Sequence, residues 1–190
     1  MSETTSFAGL PRSATLIDAF KAFPDVGKPI LELSEVVLRG PSPFSEGVRE
    51  MIAAYVSGLN DCKFCWAVHS ATAERMGVTP ARIPDPAQQL DASAIDARMI
   101  PVLEFARKLT RDPSSLTETD GQSVLAAGWD HVALFHLVCI TALLNFMNRF
   151  VEGLRIEATD AQTAKAAQQL SQSGYAPLLR TIARSMSPPD

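Results

Sequence analysis

Hydrophobic side chains recur along most of the chain at intervals of three and four residues, the spacing that places them on one face of an α-helix. Runs of alternating β-branched residues, which are typical of strands, are scarce. Prolines, glycines and capping residues divide the pattern into separate segments. The sequence therefore predicts an all-α, multihelical fold, with helices over residues 13–23, 26–38, 46–57, 62–76, 94–110, 117–127, 130–154 and 161–186.

These helices are predicted to form one domain over residues 1–190, in two halves joined by a proline-rich loop at 79–93. The first half, about 40–80, contains a helical hairpin that turns at Gly58. The second half, about 94–190, contains the longer helices, and its last helix is interrupted near residue 174.

The second half carries two further signals. Shifting the chain by 78 residues lays helices of similar length over each other and aligns GLRI at 153–156 with RMGV at 75–78, which predicts a duplicated helical unit with thiols in the first copy alone. The segment 130–154 is apolar around its whole circumference. Such a helix is predicted to run through the core or through an interface.

Composition and charge narrow the class of protein. With 190 residues, 46% of them hydrophobic, the chain can build a core that needs neither a disulfide nor a metal. The net charge of −4 and the lack of a basic stripe make nucleic acid an unsuitable partner. The N-terminal stretch lacks a signal-peptide pattern, and no apolar run is expected to cross a membrane. These features predict a cytoplasmic protein without a membrane partner.

Two thiols and an imidazole lie close together in the stretch NDCKFCWAVH, at Cys62, Cys65 and His69. Each residue of an α-helix advances by about 100°, so these side chains fall within roughly 60° of arc and can share one site. Asn60 or Asp61 is expected to cap this helix, which puts both thiols in its first turn. Unpaired amides and the positive end of the helix dipole favour a thiolate there. The pattern therefore indicates redox chemistry or metal binding.

Glu50 is predicted to face His69 across the helical hairpin. If the two helices are antiparallel and turn between Leu59 and Asn60, residues whose numbers sum to 119 lie level with each other. A carboxylate beside an imidazole fixes its tautomer and raises its basicity. Glu50 and His69 are therefore predicted to form a proton relay that serves the sulfurs.

A close thiol pair also occurs in metal sites, in haem attachment sites and in plain protein cores. A structural zinc ion needs four ligands, so the two thiols and the imidazole would need a fourth, which can come from Glu50, His131, His136 or Cys139. Haem attachment requires a histidine directly after the second cysteine, where Trp66 stands. Two inert buried cysteines would explain neither the capping residues nor the aligned imidazole. Zinc binding and redox chemistry both stay open on this pattern.

Other reactive or polar side chains have structural explanations. His131 and His136 point to different sides of their helix and are predicted to be core or interface residues. Cys139 lies in an apolar run and is predicted to be buried and inert. Phe64 and Trp66 flank the thiols and can wall a hydrophobic pocket. Polar groups on an apolar helix must find partners, and hydrogen bonds between protomers are expected for Asn145, Asn148 and Arg149.

The spacing of Glu50, the Cys62-Lys63-Phe64-Cys65 motif and His69 resembles the active-site signature of the alkyl hydroperoxidase D and carboxymuconolactone decarboxylase superfamily. The wider stretch REMIAAYVSGLNDCKFCWAVHSATAERMGV is similar to its peroxidase-related branch, as are the N-terminal helices, the proline-rich connector and NFMNRFVEGL. The resemblance covers most of the chain. It implies the all-α AhpD-like fold and assembly as a homo-oligomer, either a trimer or a hexamer.

By this resemblance the protein would be a thiol-dependent peroxidase that reduces hydroperoxides. Cys65 would be the peroxidatic thiol and Cys62 the resolving thiol, with Glu50 and His69 as the proton relay and no cofactor. A dithiol donor, either dihydrolipoamide or a thioredoxin-like protein, would reduce the disulfide, and a peroxiredoxin is a further candidate electron acceptor. Alkyl hydroperoxidase D members carry a histidine directly before the second cysteine, where this chain has Phe64. A general dithiol-disulfide reductase and a non-catalytic redox-sensing or zinc-binding protein are the alternatives.

Overall fold

The structure is a computed structural model that describes residues 9–11, 13–86, 90 and 95–186. Within these residues the regular elements are helical, which confirms the predicted all-α class. The α-helices are α1 (Leu16–Ala22), α2 (Pro24–Arg39), α3 (Glu46–Leu59), α4 (Lys63–Arg75), α5 (Ile100–Arg111), α6 (Glu118–Ala126), α7 (His131–Leu154), α8 (Asp160–Ser173) and α9 (Ala176–Ser185). Short 3-10 helices cover Pro80–Arg82, Ala97–Met99 and Pro113–Ser115.

Local capping and proline chemistry set most helix boundaries close to their predicted places. The Ser45 hydroxyl accepts a hydrogen bond from the Val48 N–H at the start of α3, as expected for an N-cap. Pro24 ends α1 and also begins α2, two residues earlier than predicted, because proline fits the first position of a helix. Ala94, where the sequence predicts the next helix to begin, lies outside the described residues, and the described α5 starts at Ile100.

Helices α3 and α4 form the antiparallel hairpin that carries the thiols. The predicted cap of α4 is wrong, because Cys62 itself occupies the N-cap position. Asn60 instead ends α3, and its side-chain amide donates hydrogen bonds to α7. Asp61 lies in the left-handed region with a φ of 55° and forms the tight turn between the helices. Cys62 therefore precedes the helix, and Cys65 is the third residue inside it.

Helix α7 packs one side into the core, which confirms in part the prediction from its apolar circumference. Leu137, Ile140 and Leu144 are buried in the main hydrophobic cluster, beside residues of α2, α3 and α5. By length and composition α7 is the one helix in the described part of the chain that is long and apolar enough to cross a membrane, contrary to the expectation from the sequence. In this fold the apolar side chains on one side of α7 pack into the core.

The break in the last predicted helix separates α8 from α9 at Gly174, which has a φ of 56°. A side chain at this position would meet Glu35, since a Cβ there would lie 2.7 Å from its carboxylate oxygen. The following N–H, that of Tyr175, donates a 2.7 Å hydrogen bond to Glu35 Oε2. This turn therefore fixes the start of α9 against α2.

Candidate active site

The two thiols of the hairpin are free and buried beneath the end of α7. Cys62 has no exposed surface and Cys65 has 4% of its surface exposed. Both belong to a small cluster that includes Val151 and Ile156. The placement at the start of α4 agrees with the sequence expectation, except that Cys62 is the cap residue itself.

Each sulfur of the pair shifts the pKa of the other, in opposite directions. The hydrogen bond from Cys65 lowers the pKa of Cys62 despite the opposing effect of burial. The contact with Cys62, together with burial, raises the pKa of Cys65. The first negative charge on the pair is therefore stabilised on Cys62, with the Cys65 thiol as its donor. Cys65 needs a nearby base before it can attack an electrophile.

Glu50 and His69 lie in contact across the hairpin, as the predicted register requires. His69 Nδ1 is 2.6 Å from Glu50 Oε2. The carboxylate is fully buried and the histidine is 8% exposed. Because an ionised carboxylate can only accept, the Nδ1–H donates, which leaves Nε2 as the nitrogen that can exchange a proton with another group.

Arg39 completes this charged cluster from the end of α2, and the sequence analysis did not single it out. Its Nη2 lies 2.6 Å from Glu50 Oε1, with 7% of the arginine side chain exposed. The same nitrogen donates a 3.2 Å hydrogen bond to the carbonyl oxygen of Leu170 in α8. Basic residues are common in the last turn of a helix, so the position of Arg39 in the sequence did not indicate a role in the site.

Contacts with His69 and Arg39 keep Glu50 ionised. Burial is the largest influence and by itself would raise the pKa of this carboxyl. The contact with His69, followed by that with Arg39, outweighs burial and lowers the pKa of Glu50 below its ordinary value of 4.5. Near neutral pH the carboxylate is therefore available to orient the imidazole.

One side of α4 faces a cavity of about 410 Å³, which Cys65 and His69 both line. Cys62 is not part of its wall, so the cavity gives a ligand access to one thiol of the pair. Phe64 also lines the cavity as expected, whereas Trp66 does not and lies over Gly58 instead. Most of the remaining wall is apolar, with Leu16, Phe20, Leu31, Leu143, Met147 and Leu178 from α1, α2, α7 and α9, and α8 adds the polar side chains Gln162, Lys165 and Gln169.

Asn60, Asn145 and Asn148 form a hydrogen-bonded network that joins the hairpin turn to α7. The Asn60 amide donates to Asn145 Oδ1 at 3.1 Å and to Asn148 Oδ1 at 2.9 Å. Asn148 in turn donates to the Ser57 hydroxyl at 3.0 Å, and Arg149 donates to Asn145 Oδ1 at 2.9 Å. These side chains find partners within the same chain, and hydrogen bonds between protomers stay a prediction. The network holds the turn that positions the thiols.

The remaining candidates of the sequence analysis lie away from this site. Cys139 is half-buried rather than buried, and it packs on the main cluster. His131 is exposed, so the prediction that it is a core residue is wrong and its alternative place in an interface stays a prediction. The ring centroid of His136 lies 6.4 Å from that of Phe135. In the described portion of the chain, no three histidine, cysteine or acidic side chains are grouped to hold a metal ion. The fourth ligand that a structural zinc site needs is thus not found beside the thiols.

Comparisons with known proteins give a family and two structural relatives. Residues 24–108, which include the thiol motif, match the family model of the carboxymuconolactone decarboxylase family. No curated protein sequence matches the chain.

The fold resembles that of an uncharacterized peroxidase-related protein from Silicibacter sp. TM1040, with a TM-score of 0.72, 23% identity and 78% of each chain covered. It also resembles an uncharacterized peroxidase-related protein from Ralstonia eutropha JMP134, described as an alkylhydroperoxidase AhpD core, with a TM-score of 0.68, 20% identity and coverage of 79% of this chain and 78% of that chain. The segment that carries the thiols is therefore similar to the carboxymuconolactone decarboxylase family, and the chain shares its fold with two proteins described as peroxidase-related.

Proposed function

We propose that this protein is a thiol-dependent peroxidase that reduces hydroperoxides through Cys65 and Cys62. The observation that carries the proposal is that Cys65 and His69 line one cavity, while Glu50 Oε2 accepts a 2.6 Å hydrogen bond from His69 Nδ1. A thiol, a base and a group that orients the base are the parts of an activated nucleophile. The cavity supplies the space in which a substrate would meet them.

The proposed cycle begins with the transfer of a proton from Cys65 to His69. His69 accepts the Cys65 proton, and the thiolate attacks the terminal oxygen of the hydroperoxide, which breaks the O–O bond. Cys65 becomes a sulfenic acid and the alcohol leaves with a proton from His69. Cys62 then attacks the sulfenic sulfur, which forms a disulfide and releases water. A dithiol, either dihydrolipoamide or a thioredoxin-like protein, restores the two thiols, and we expect this to occur in the cytoplasm.

One equivalent of cumene hydroperoxide is expected to lower the number of titratable thiols in the denatured protein from three to one. The two thiols lost are those of Cys62 and Cys65, because a sulfenic acid beside a free thiol condenses to a disulfide. Reduced dihydrolipoamide or thioredoxin, added afterwards, is expected to restore all three. Thiol titration with peroxide removal before denaturation measures both steps.

The matched control for this experiment is Cys139→Ser, which removes the third cysteine without touching the cavity. This variant is expected to fall from two thiols to none. Loss of a single thiol in the wild type would point to a sensor that stops at the sulfenic acid. Unchanged thiols together with a stoichiometric metal in the purified protein would favour the zinc-binding alternative.

We also propose that a second copy of the chain covers an apolar surface formed by α2 and α7, two helices that pack together. The exposed residues of this surface recur at helical spacing on each helix, which is typical of a buried face. A patch of this kind is rare on monomers. Its members are Val26, Leu33 and Val36 on α2 and Val132, Phe135, Val138 and Phe146 on α7.

Phe135→Glu is expected to convert the proposed homo-oligomer into a monomer. Phe135 is 67% exposed in the single chain, so the carboxylate would stay hydrated in the monomer and lose that hydration in an assembly. Light scattering coupled to size-exclusion chromatography measures the mass. Gln168→Glu, an equal change in charge on the exposed side of α8, serves as the control. A monomeric wild type, or an oligomer that survives Phe135→Glu, would refute the proposed interface.

A further inference from the structure

Tyr175 lies in the wall of the same cavity. The residue is 8% exposed, and it lines the cavity together with Cys65 and His69. Among the described residues its hydroxyl has no hydrogen-bond partner, although its backbone N–H donates to Glu35. A ligand or a water that enters the cavity can therefore form a hydrogen bond with this hydroxyl.

The surroundings of Tyr175 hold the ring in place and keep the hydroxyl protonated. The Arg39 guanidinium lies 5.6 Å from the ring centroid, and the turn at Gly174 fixes the backbone. Burial, followed by the negative charge of Glu50, raises the pKa of Tyr175 well above its ordinary value of 10.0. The hydroxyl is therefore a donor at any physiological pH, and it is a fixed one.

The cavity is much larger than a hydrogen peroxide molecule requires. A volume of about 410 Å³ with an apolar wall matches pockets that enclose organic ligands. Polar side chains stand among the apolar ones and can orient whatever enters, and they include His69, Lys165, Gln169 and Tyr175. With the thiol on α4 and the phenol at the start of α9, an organic hydroperoxide can place its carbon side against the leucines and its two oxygens between these groups.

We infer that Tyr175 is a catalytic residue of the proposed peroxidase, and that it donates a hydrogen bond to the oxygen of an organic hydroperoxide that becomes the leaving alkoxide. The inference rests on the proposed function. In this step the Cys65 sulfur forms a bond to the terminal oxygen, the O–O bond breaks, and its electron pair goes to the oxygen attached to carbon. Sulfur is oxidised by two electrons, and the alkoxide takes the proton that His69 received from Cys65. The tyrosine keeps its own proton throughout and stabilises the negative charge as it develops.

Tyr175→Phe removes the hydroxyl and keeps the ring, so it isolates this hydrogen bond. We expect kcat/KM for cumene hydroperoxide to fall by about a hundredfold, the loss typical when one oxyanion donor is removed. Peracetic acid leaves as acetate, which is weakly basic and needs little stabilisation, so its kcat/KM is expected to fall by less than about threefold. This dependence on the leaving group is a readout that a merely structural role would not produce.

Tyr55→Phe is the matched control, because Tyr55 is the other tyrosine of the chain and its hydroxyl already accepts a 2.7 Å hydrogen bond from Arg107. We expect wild-type kcat/KM for both substrates in this variant. An equal loss on both substrates in Tyr175→Phe, no loss on either, or a destabilised variant would each overturn the inference. If the wild type reduces neither substrate, the proposed function fails and the inference falls with it. Wild-type kcat/KM for cumene hydroperoxide in Tyr175→Phe would leave the proposed function intact and remove the inference alone.

Discussion

Cys65→Ser is expected to lower steady-state hydroperoxide reduction by at least about a thousandfold, since nucleophile replacements in enzymes have effects of this size or larger. A serine hydroxyl does not ionise near neutral pH, and His69 cannot make it an equivalent nucleophile towards oxygen. The measurement is peroxide consumption with a panel of reduced dithiols. The cavity lined by Cys65 is intact in the variant apart from one atom, so substrate access does not change.

Cys62→Ser separates the two roles of the thiol pair. This variant retains the thiol that faces the cavity and is expected to consume one equivalent of hydroperoxide before it stalls as a sulfenic acid, which dimedone traps. The pKa directions in the resting pair place the first charge on Cys62, whereas access favours Cys65. Cys65 is therefore the expected nucleophile, because a sulfur with no path to the substrate cannot attack it. A full first turnover in Cys65→Ser would reverse the two assignments.

Arg39→Leu is expected to lower the free energy of unfolding by about 3–5 kcal/mol, the usual cost of removing one partner from a buried ion pair. Glu50 would remain in the interior with the His69 imidazole as its remaining ion-pair or hydrogen-bond partner among the described residues. Urea unfolding followed by circular dichroism measures the change. Lys28→Met removes an exposed ion pair with Glu32 and is expected to cost no more than about 1 kcal/mol.

The pH dependence of the same variant tests the cause of this loss. In the wild type the pKa of Glu50 is lowered on folding, so its contribution to stability is present above the ordinary value of 4.5 and is lost as the pH falls through the folded value. Without Arg39 the burial of the carboxyl is opposed by His69 alone, which raises the pKa. Loss of stability on acidification is therefore expected to begin at a higher pH in Arg39→Leu.

The double variant Arg39→Leu with Glu50→Gln is expected to recover part of that loss, because no uncompensated charge stays buried. Its stability should also depend less on pH than that of Arg39→Leu. A double variant as unstable and as pH-sensitive as the single variant would show that lost packing, rather than charge, explains the effect of Arg39.

Most helix boundaries and the contact between Glu50 and His69 could be predicted because they depend on neighbours in the sequence. Prolines, glycines and hydroxyl caps act within one turn, and a short hairpin leaves little freedom in the register of its two helices. The cap of α4 could not be predicted in this way. Asn60 and Asp61 both suit an N-cap, but contacts with α7 and the geometry of the turn gave them other roles.

The sequence by itself determined that this protein is all-α and that Cys62, Cys65, His69 and Glu50 belong to one hairpin, because these features follow from periodicity and from local spacing. Its single-domain organisation and the duplicated unit stay predictions. Only the tertiary structure decided that Arg39 contacts Glu50 and that Cys65 rather than Cys62 faces a cavity. It also decided that Tyr175 lines the same cavity as Cys65. Arg39 and Tyr175 come from distant parts of the chain, and their approach depends on how α2, α4, α8 and α9 pack around a shared core. Side-chain contacts of that kind leave no periodic trace in a sequence.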